Sequence, residues 1–96
     1  MTRSVVERRL AEVGDRLKAL RDELRVIDEQ LLALADEADD TRIRSLVSET
    51  PLADREYREA QRHADAMARR RADVLGEIAQ LEARQDDLLD RLIAEG

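Results

Sequence analysis

The sequence predicts an all-α protein, an antiparallel hairpin of two long helices that assembles into a four-helix bundle. Three observations support this: two stretches with apolar residues at heptad spacing, a single proline between them, and a coiled-coil composition. Charged residues make up 42% of the chain and aromatic residues 1%, so a thick aromatic core is not expected. We expect one helical-hairpin domain over residues 1–96.

The first helix is predicted over about residues 4–36. Its apolar residues recur in alternating steps of four and three, which places them on one narrow stripe of a helix. Ser4 is the expected N-cap, and Glu7 completes a capping box with it. Gly14 lies beside the stripe. It either is tolerated there at a cost in helix stability or marks a point of close approach by a partner. The stripe consists of Val6, Leu10, Val13, Leu17, Leu20, Leu24, Ile27, Leu31 and Leu34.

Residues 37–50 are predicted to form the bend, with a possible short helix inside it. After Asp36 the heptad frame loses its large residues, and apolar side chains return at a different helical phase. Thr50 followed by Pro51 is typical of a helix start, with an N-cap and then proline at the first helical position. The acidic residues of this bend are Asp36, Glu37, Asp39 and Asp40. The apolar residues of the short helix are Ile43, Leu46 and Val47.

The second helix is predicted over about residues 51–94. Its heptad stripe has small residues in the first half and large ones in the second, and Arg71 and Gln85 interrupt it. A polar residue at such a position commonly fixes the register of two helices at some cost in stability. The stripe consists of Tyr57, Ala60, Ala64, Met67, Arg71, Val74, Ile78, Leu81, Gln85, Leu88 and Leu92.

Two alignments of the helices are compatible with these stripes. One places Leu31 opposite Met67, and the other, shifted by a heptad, places Leu24 opposite Met67. We favour the shifted alignment slightly, because it brings Arg16 near Glu77 and leaves room for a short helix in the bend.

Further apolar residues flank both stripes and are more than a two-helix contact can bury. A second apolar face more often marks an oligomer contact than a ligand groove. We therefore expect a homodimer, and a protein partner bound through the same kind of surface. The expected contact residues are Leu75, Leu89, Ile93, Val26 and Leu32.

The sequence contains no recognisable catalytic or cofactor-binding motif. It has no cysteine, no glycine-rich phosphate loop and no nucleophile–base arrangement. His63 is the only histidine, and Glu56, Glu59 and His63 form at most a minimal carboxylate–imidazole cluster. We expect no metal, no cofactor and no enzymatic activity.

The charge balance bears on partners and location. The formal net charge of −6 disfavours indiscriminate binding to nucleic acid or to an anionic membrane surface. No apolar run approaches the length of a membrane span, and the N-terminus lacks the apolar segment of a signal peptide. We expect a cytoplasmic interaction or scaffold protein.

Two family resemblances give alternative functions. The segment Leu20–Leu34 resembles the first helix of the all-helical chorismate mutases, which are intertwined dimers that bind a dicarboxylate through cationic side chains. Arg21 occupies the position of that family's first active-site arginine, whereas Ala38 and about Glu49 stand where further cations would be. This resemblance implies a polar pocket in which Arg21 and Arg71 converge.

The second resemblance concerns the bend. Acidic residues beside the bend of a long hairpin, together with Leu52–Tyr57, resemble the coiled-coil domain of Gre-type transcript-cleavage factors. In that family acidic tip residues reach the polymerase active site and help to hold a metal ion. The resemblance implies a transcription regulator that binds RNA polymerase through an acidic tip.

Overall fold

The computed structural model describes residues 1–95, and these form two long α-helices packed against each other. Helix α1 spans Arg3–Ser48 (46 residues) and α2 spans Pro51–Glu95 (45 residues). Only Glu49 and Thr50 separate the two helices, and residues 1–95 contain no strand. The predicted all-α helical hairpin is confirmed.

The predicted end of the first helix near Asp36 is wrong, and no separate short helix follows it. Helix α1 continues without interruption to Ser48. The heptad stripe also continues, through Ala38, Thr41 and Ser45, of which the first two are buried and the third is half-buried. Small side chains on the stripe therefore marked a change in the size of the packed residues, and not the end of the helix.

A threonine caps the N-terminus of each helix. The Val5 amide donates to the Thr2 hydroxyl (3.3 Å), so Thr2 is the N-cap of α1 and the predicted cap at Ser4 is wrong. The predicted cap at Thr50 is confirmed, because the Ala53 amide donates to its hydroxyl (3.2 Å). Glu49 adopts a left-handed conformation with φ of 49°, which ends α1 at a position usually taken by glycine.

The chain divides into two compact units, each containing part of both helices. The terminal unit comprises residues 1–24 and the described residues from Asp73 onward. Its interior is built from medium and large aliphatic side chains, as a two-helix coiled coil requires. The buried residues are Val6, Val13, Leu17, Leu20, Val74, Ile78 and Leu88.

The bend unit, Arg25–Ala72, has a different interior made mainly of small residues. Small side chains allow two helix backbones to approach closely. Thr41 is polar and buried, and its hydroxyl donates a hydrogen bond to the backbone carbonyl of Glu37 or Ala38. The buried residues are Ile27, Ala38, Thr41, Ala53, Ala60 and Ala64.

Polar contacts define the alignment of the helices in the bend unit. The Ser45 hydroxyl hydrogen-bonds the Asp54 carboxylate beside the bend, and farther away Arg71 binds Asp28 at 2.6 Å. These pairs run antiparallel and correspond to the alignment with Leu31 level with Met67. The shifted alignment favoured from sequence is wrong here, because the bend contains only two residues.

The ion pair expected between Arg16 and Glu77 does form, in the terminal unit, with 2.9 Å between the guanidinium and the carboxylate. Arg71, a predicted stripe residue, is half-buried and pairs with Asp28. Long side chains at the edge of a helix pair reach over a range of partners, so their charges are a poor guide to alignment.

Candidate protein-interaction surface

The five predicted contact residues all lie on the surface. In the terminal unit Leu75 and Leu89 are 39% and 41% exposed, and Ile93 is mostly exposed. Glu82 lies on the helix between Leu75 and Leu89 and pairs with Arg21 at 3.7 Å. This face of α2 therefore alternates between half-buried apolar residues and an ion pair.

In the bend unit the predicted contact residues Val26 and Leu32 are on α1, and both are exposed. Leu32 borders a shallow apolar groove of about 300 Å³, which Leu31 and Ala35 also line. The paired side chains of Asp28 and Arg71 complete the lining. The groove therefore has apolar walls and a neutralised charge pair.

The most exposed apolar cluster was missed by the sequence interpretation. Around the bend, large aliphatic side chains point into solvent and are between 53% and 79% exposed; all but Leu52, which was predicted in the second helix, had been assigned to a short helix. The inward positions of the same segment are occupied by alanine and threonine. We call these side chains the bend-end surface; they are Ile43, Leu46, Val47 and Leu52.

This arrangement reverses the usual distribution of apolar side chains. An ordinary amphipathic helix turns its large aliphatic residues inward. A signal was present in the sequence, because Ile43 and Leu46 follow Leu32 at intervals of about three and four helical turns. Leu32, Ile43 and Leu46 therefore share the face of α1 that lies away from α2, with Asp36 and Asp39 between them. We call this face the outer stripe.

The four predicted bend acids do not lie at the bend. Asp36, Glu37, Asp39 and Asp40 are exposed residues within α1, and the helix ends only at Ser48. The acidic run is accommodated because its side chains are solvated while Ala38 and Thr41 face inward. These four acids therefore do not form the acidic tip on which the resemblance to transcript-cleavage factors depended.

A polar recess of about 280 Å³ lies in the bend unit near His63. Arg44 and Glu56 line it and pair at 3.9 Å. Across the described residues, no group of three or more His, Cys, Asp or Glu side chains is placed to hold a metal ion. The remaining lining residues are Glu37, Thr41, Glu59 and Ala60.

The two arginines that the mutase resemblance would require are each bound to a carboxylate of their own unit. Arg21 pairs with Glu82 at 3.7 Å, and Arg71 pairs with Asp28 at 2.6 Å. A dicarboxylate ligand would have to displace these partners, so the arrangement offers that chemistry no support.

Comparison with known proteins found no matching family model, no matching curated protein and no matching solved structure. Among the described residues, neither helix has a stretch apolar enough to cross a membrane.

Proposed function

We propose that this chain is a non-enzymatic interaction or scaffold protein that dimerises through the outer stripe of α1. The observation that carries the proposal is the reversed packing around the bend, with large aliphatic residues outside and alanine inside. Exposed apolar surface of this kind marks a contact with another molecule. Two hairpins joined in this way form a four-helix assembly.

The exposed side chains supply an apolar gain of the same order as the cost of association. Leu32, Ile43 and Leu46 are each more than half exposed, and covering them contributes about 1–2 kcal/mol apiece. A two-fold dimer counts each side chain twice, which gives on the order of 10 kcal/mol against an association cost of about 4–15 kcal/mol. Because this gain and this cost are of similar size, we expect a weak dimer whose population rises with protein concentration.

A second copy of the chain is the occupant that the outer stripe fits. In antiparallel packing about a two-fold axis at Asp39, Leu32 of one copy lies opposite Leu46 of the other, because both are equally far along the helix from Asp39. The same packing places Asp36 of one copy level with Arg42 of the other, since both are three residues from Asp39. Arg42 and Asp36 are exposed and form no ion pair among the described side chains, so both are available.

The terminal unit offers a smaller surface for a different protein partner. Leu75, Leu89 and Ile93 lie along one face of α2, and a partner helix could cover them. Because Leu75 and Leu89 are already more than half buried, we expect this face to contribute less to self-association than the outer stripe.

The test is sedimentation equilibrium over a concentration series with matched variants. Leu46→Glu places a charge on the outer stripe and should shift the chain to monomer. Ala33→Glu adds the same charge to an exposed position of α1 off the stripe and should leave the dimer intact. Loss of the dimer in Leu89→Glu but not in Leu46→Glu would move the contact to the terminal unit, and a wild-type monomer at all concentrations would refute self-association.

A charge exchange tests the alignment of the two copies. Asp36→Arg and Arg42→Glu should each weaken the dimer by placing like charges together, and the double variant should restore it. Circular dichroism of each variant checks that the helices persist. If the double variant remains as weak as the single ones, the two copies do not meet at Asp39.

A further inference from the structure

A second recess lies in the terminal unit, and arginines dominate it. Its volume is about 150 Å³, and Arg9 of α1 faces it together with Arg84 and Arg91 of α2. Arg84 and Arg91 are separated by about two helical turns and therefore share a face of α2. Arg9 is half-buried. The other lining residues are Met1, Asp87 and Leu88.

These arginines differ from the cross-helix arginines elsewhere in the unit. Arg16 and Arg21 each reach a glutamate of α2, at 2.9 and 3.7 Å. No ion pair or hydrogen bond joins Arg9, Arg84 or Arg91 to any side chain that the structure describes. Carboxylates are abundant in the chain, with 23 acidic against 17 basic residues. Three like charges are thus brought together, and Asp87 is the one acidic residue among the described side chains that line the recess.

We propose that this recess binds a phosphate-type dianion. Guanidinium groups bind tetrahedral oxyanions through paired N–H donors. A dianion bound between several guanidinium groups offsets the repulsion between them. The recess holds about as much as five water molecules do in the liquid, which is room for one such group. The site is independent of the proposed dimer contact, since it uses none of the same residues.

Substitutions at two lining residues should change the affinity for phosphate in opposite directions. Arg84→Gln removes a donor and a positive charge, so it should weaken phosphate binding at least tenfold. Asp87→Asn removes the negative charge carried by the described lining and should strengthen binding. Arg55→Gln is the control, because Arg55 is an exposed arginine of α2 outside this recess. It should bind phosphate like the wild type.

Isothermal titration with inorganic phosphate at fixed ionic strength, with chloride as the reference salt, measures these affinities. Thermal unfolding in chloride alone checks the fold, and Arg84→Gln should melt no lower than the wild type, because it relieves repulsion. Equal effects of phosphate and chloride, or equal losses in Arg84→Gln and Arg55→Gln, would overturn the proposal.

A second titration distinguishes the source of the anion. Glycerol phosphate carries the same dianion on an organic group, whereas inorganic phosphate does not. Tighter binding of the ester, lost in Arg84→Gln, identifies a phosphorylated small molecule as the ligand class. Tighter binding of inorganic phosphate, lost in the same variant, identifies the free anion.

Discussion

The two glycines inside the helices give a direct test of how open the terminal unit is. A Cβ added at Gly14 or at Gly76 would meet no atom within 4 Å. Replacing glycine by alanine in the interior of a helix stabilises it by about 1 kcal/mol, because the unfolded chain loses freedom and the helix gains a favourable residue. For a domain of this size, 1 kcal/mol corresponds to a rise in Tm of about 4–8 °C. We therefore expect that rise for Gly14→Ala and for Gly76→Ala.

Thermal unfolding followed by circular dichroism measures both values, with Ala83→Gly as the reverse control. Ala83 is an exposed residue of α2, so its replacement by glycine should lower Tm by a similar amount. The reasoning would be refuted if Gly14→Ala lowered Tm while Ala83→Gly behaved as expected. That result would mean that another molecule packs against Gly14, and the loss should then grow with protein concentration.

Three further changes test the packing and the bend. Leu20→Ala removes a fully buried side chain and should lower the free energy of unfolding by about 2–5 kcal/mol, whereas Leu32→Ala in the dilute monomer should change it by less than about 0.5 kcal/mol. Urea unfolding measures both, and equal costs would contradict the assigned burial. Glu49→Gly should raise the same quantity by about 0.5–1 kcal/mol, since φ of 49° strains a non-glycine residue; a loss would show that this residue contributes a contact. Thr50→Ala should lower it by about 1 kcal/mol through loss of the cap, and no change would assign capping elsewhere.

The heptad stripes predicted most of the interior correctly. Val6, Leu17 and Leu20 on α1, and Val74 on α2, are the most deeply buried large side chains. Heptad spacing determines which face of a helix is apolar, and a continuous apolar face has to be covered. The start of α2 was also predictable, because the requirement for a cap at Thr50 and for proline at the first helical position is local.

The candidate interaction surface was only partly predictable. Val26, Leu32, Leu75, Leu89 and Ile93 are exposed, as expected from their positions beside the stripes. The bend-end surface was missed because large aliphatic residues were assumed to define the inward face, while the small residues Ala38, Thr41 and Ser45 were interpreted as the end of the helix. Which face of α1 packs inward depends on the side chains that α2 presents to it, and those residues are distant in the sequence.

The sequence by itself determined two amphipathic helices, the break at Thr50–Pro51 and the aliphatic interior of the terminal unit, because each of these follows from side chains a few residues apart. Only the tertiary structure decided the length of α1, the alignment of the helices in the bend unit and the identity of the residues left in solvent. Two alignments a heptad apart bury similar stripes, so their difference depends on contacts between residues distant in the chain. The close packing of alanine on both helices and of threonine on α1, with a bend of two residues, made one alignment fit and turned Ile43, Leu46 and Val47 outward.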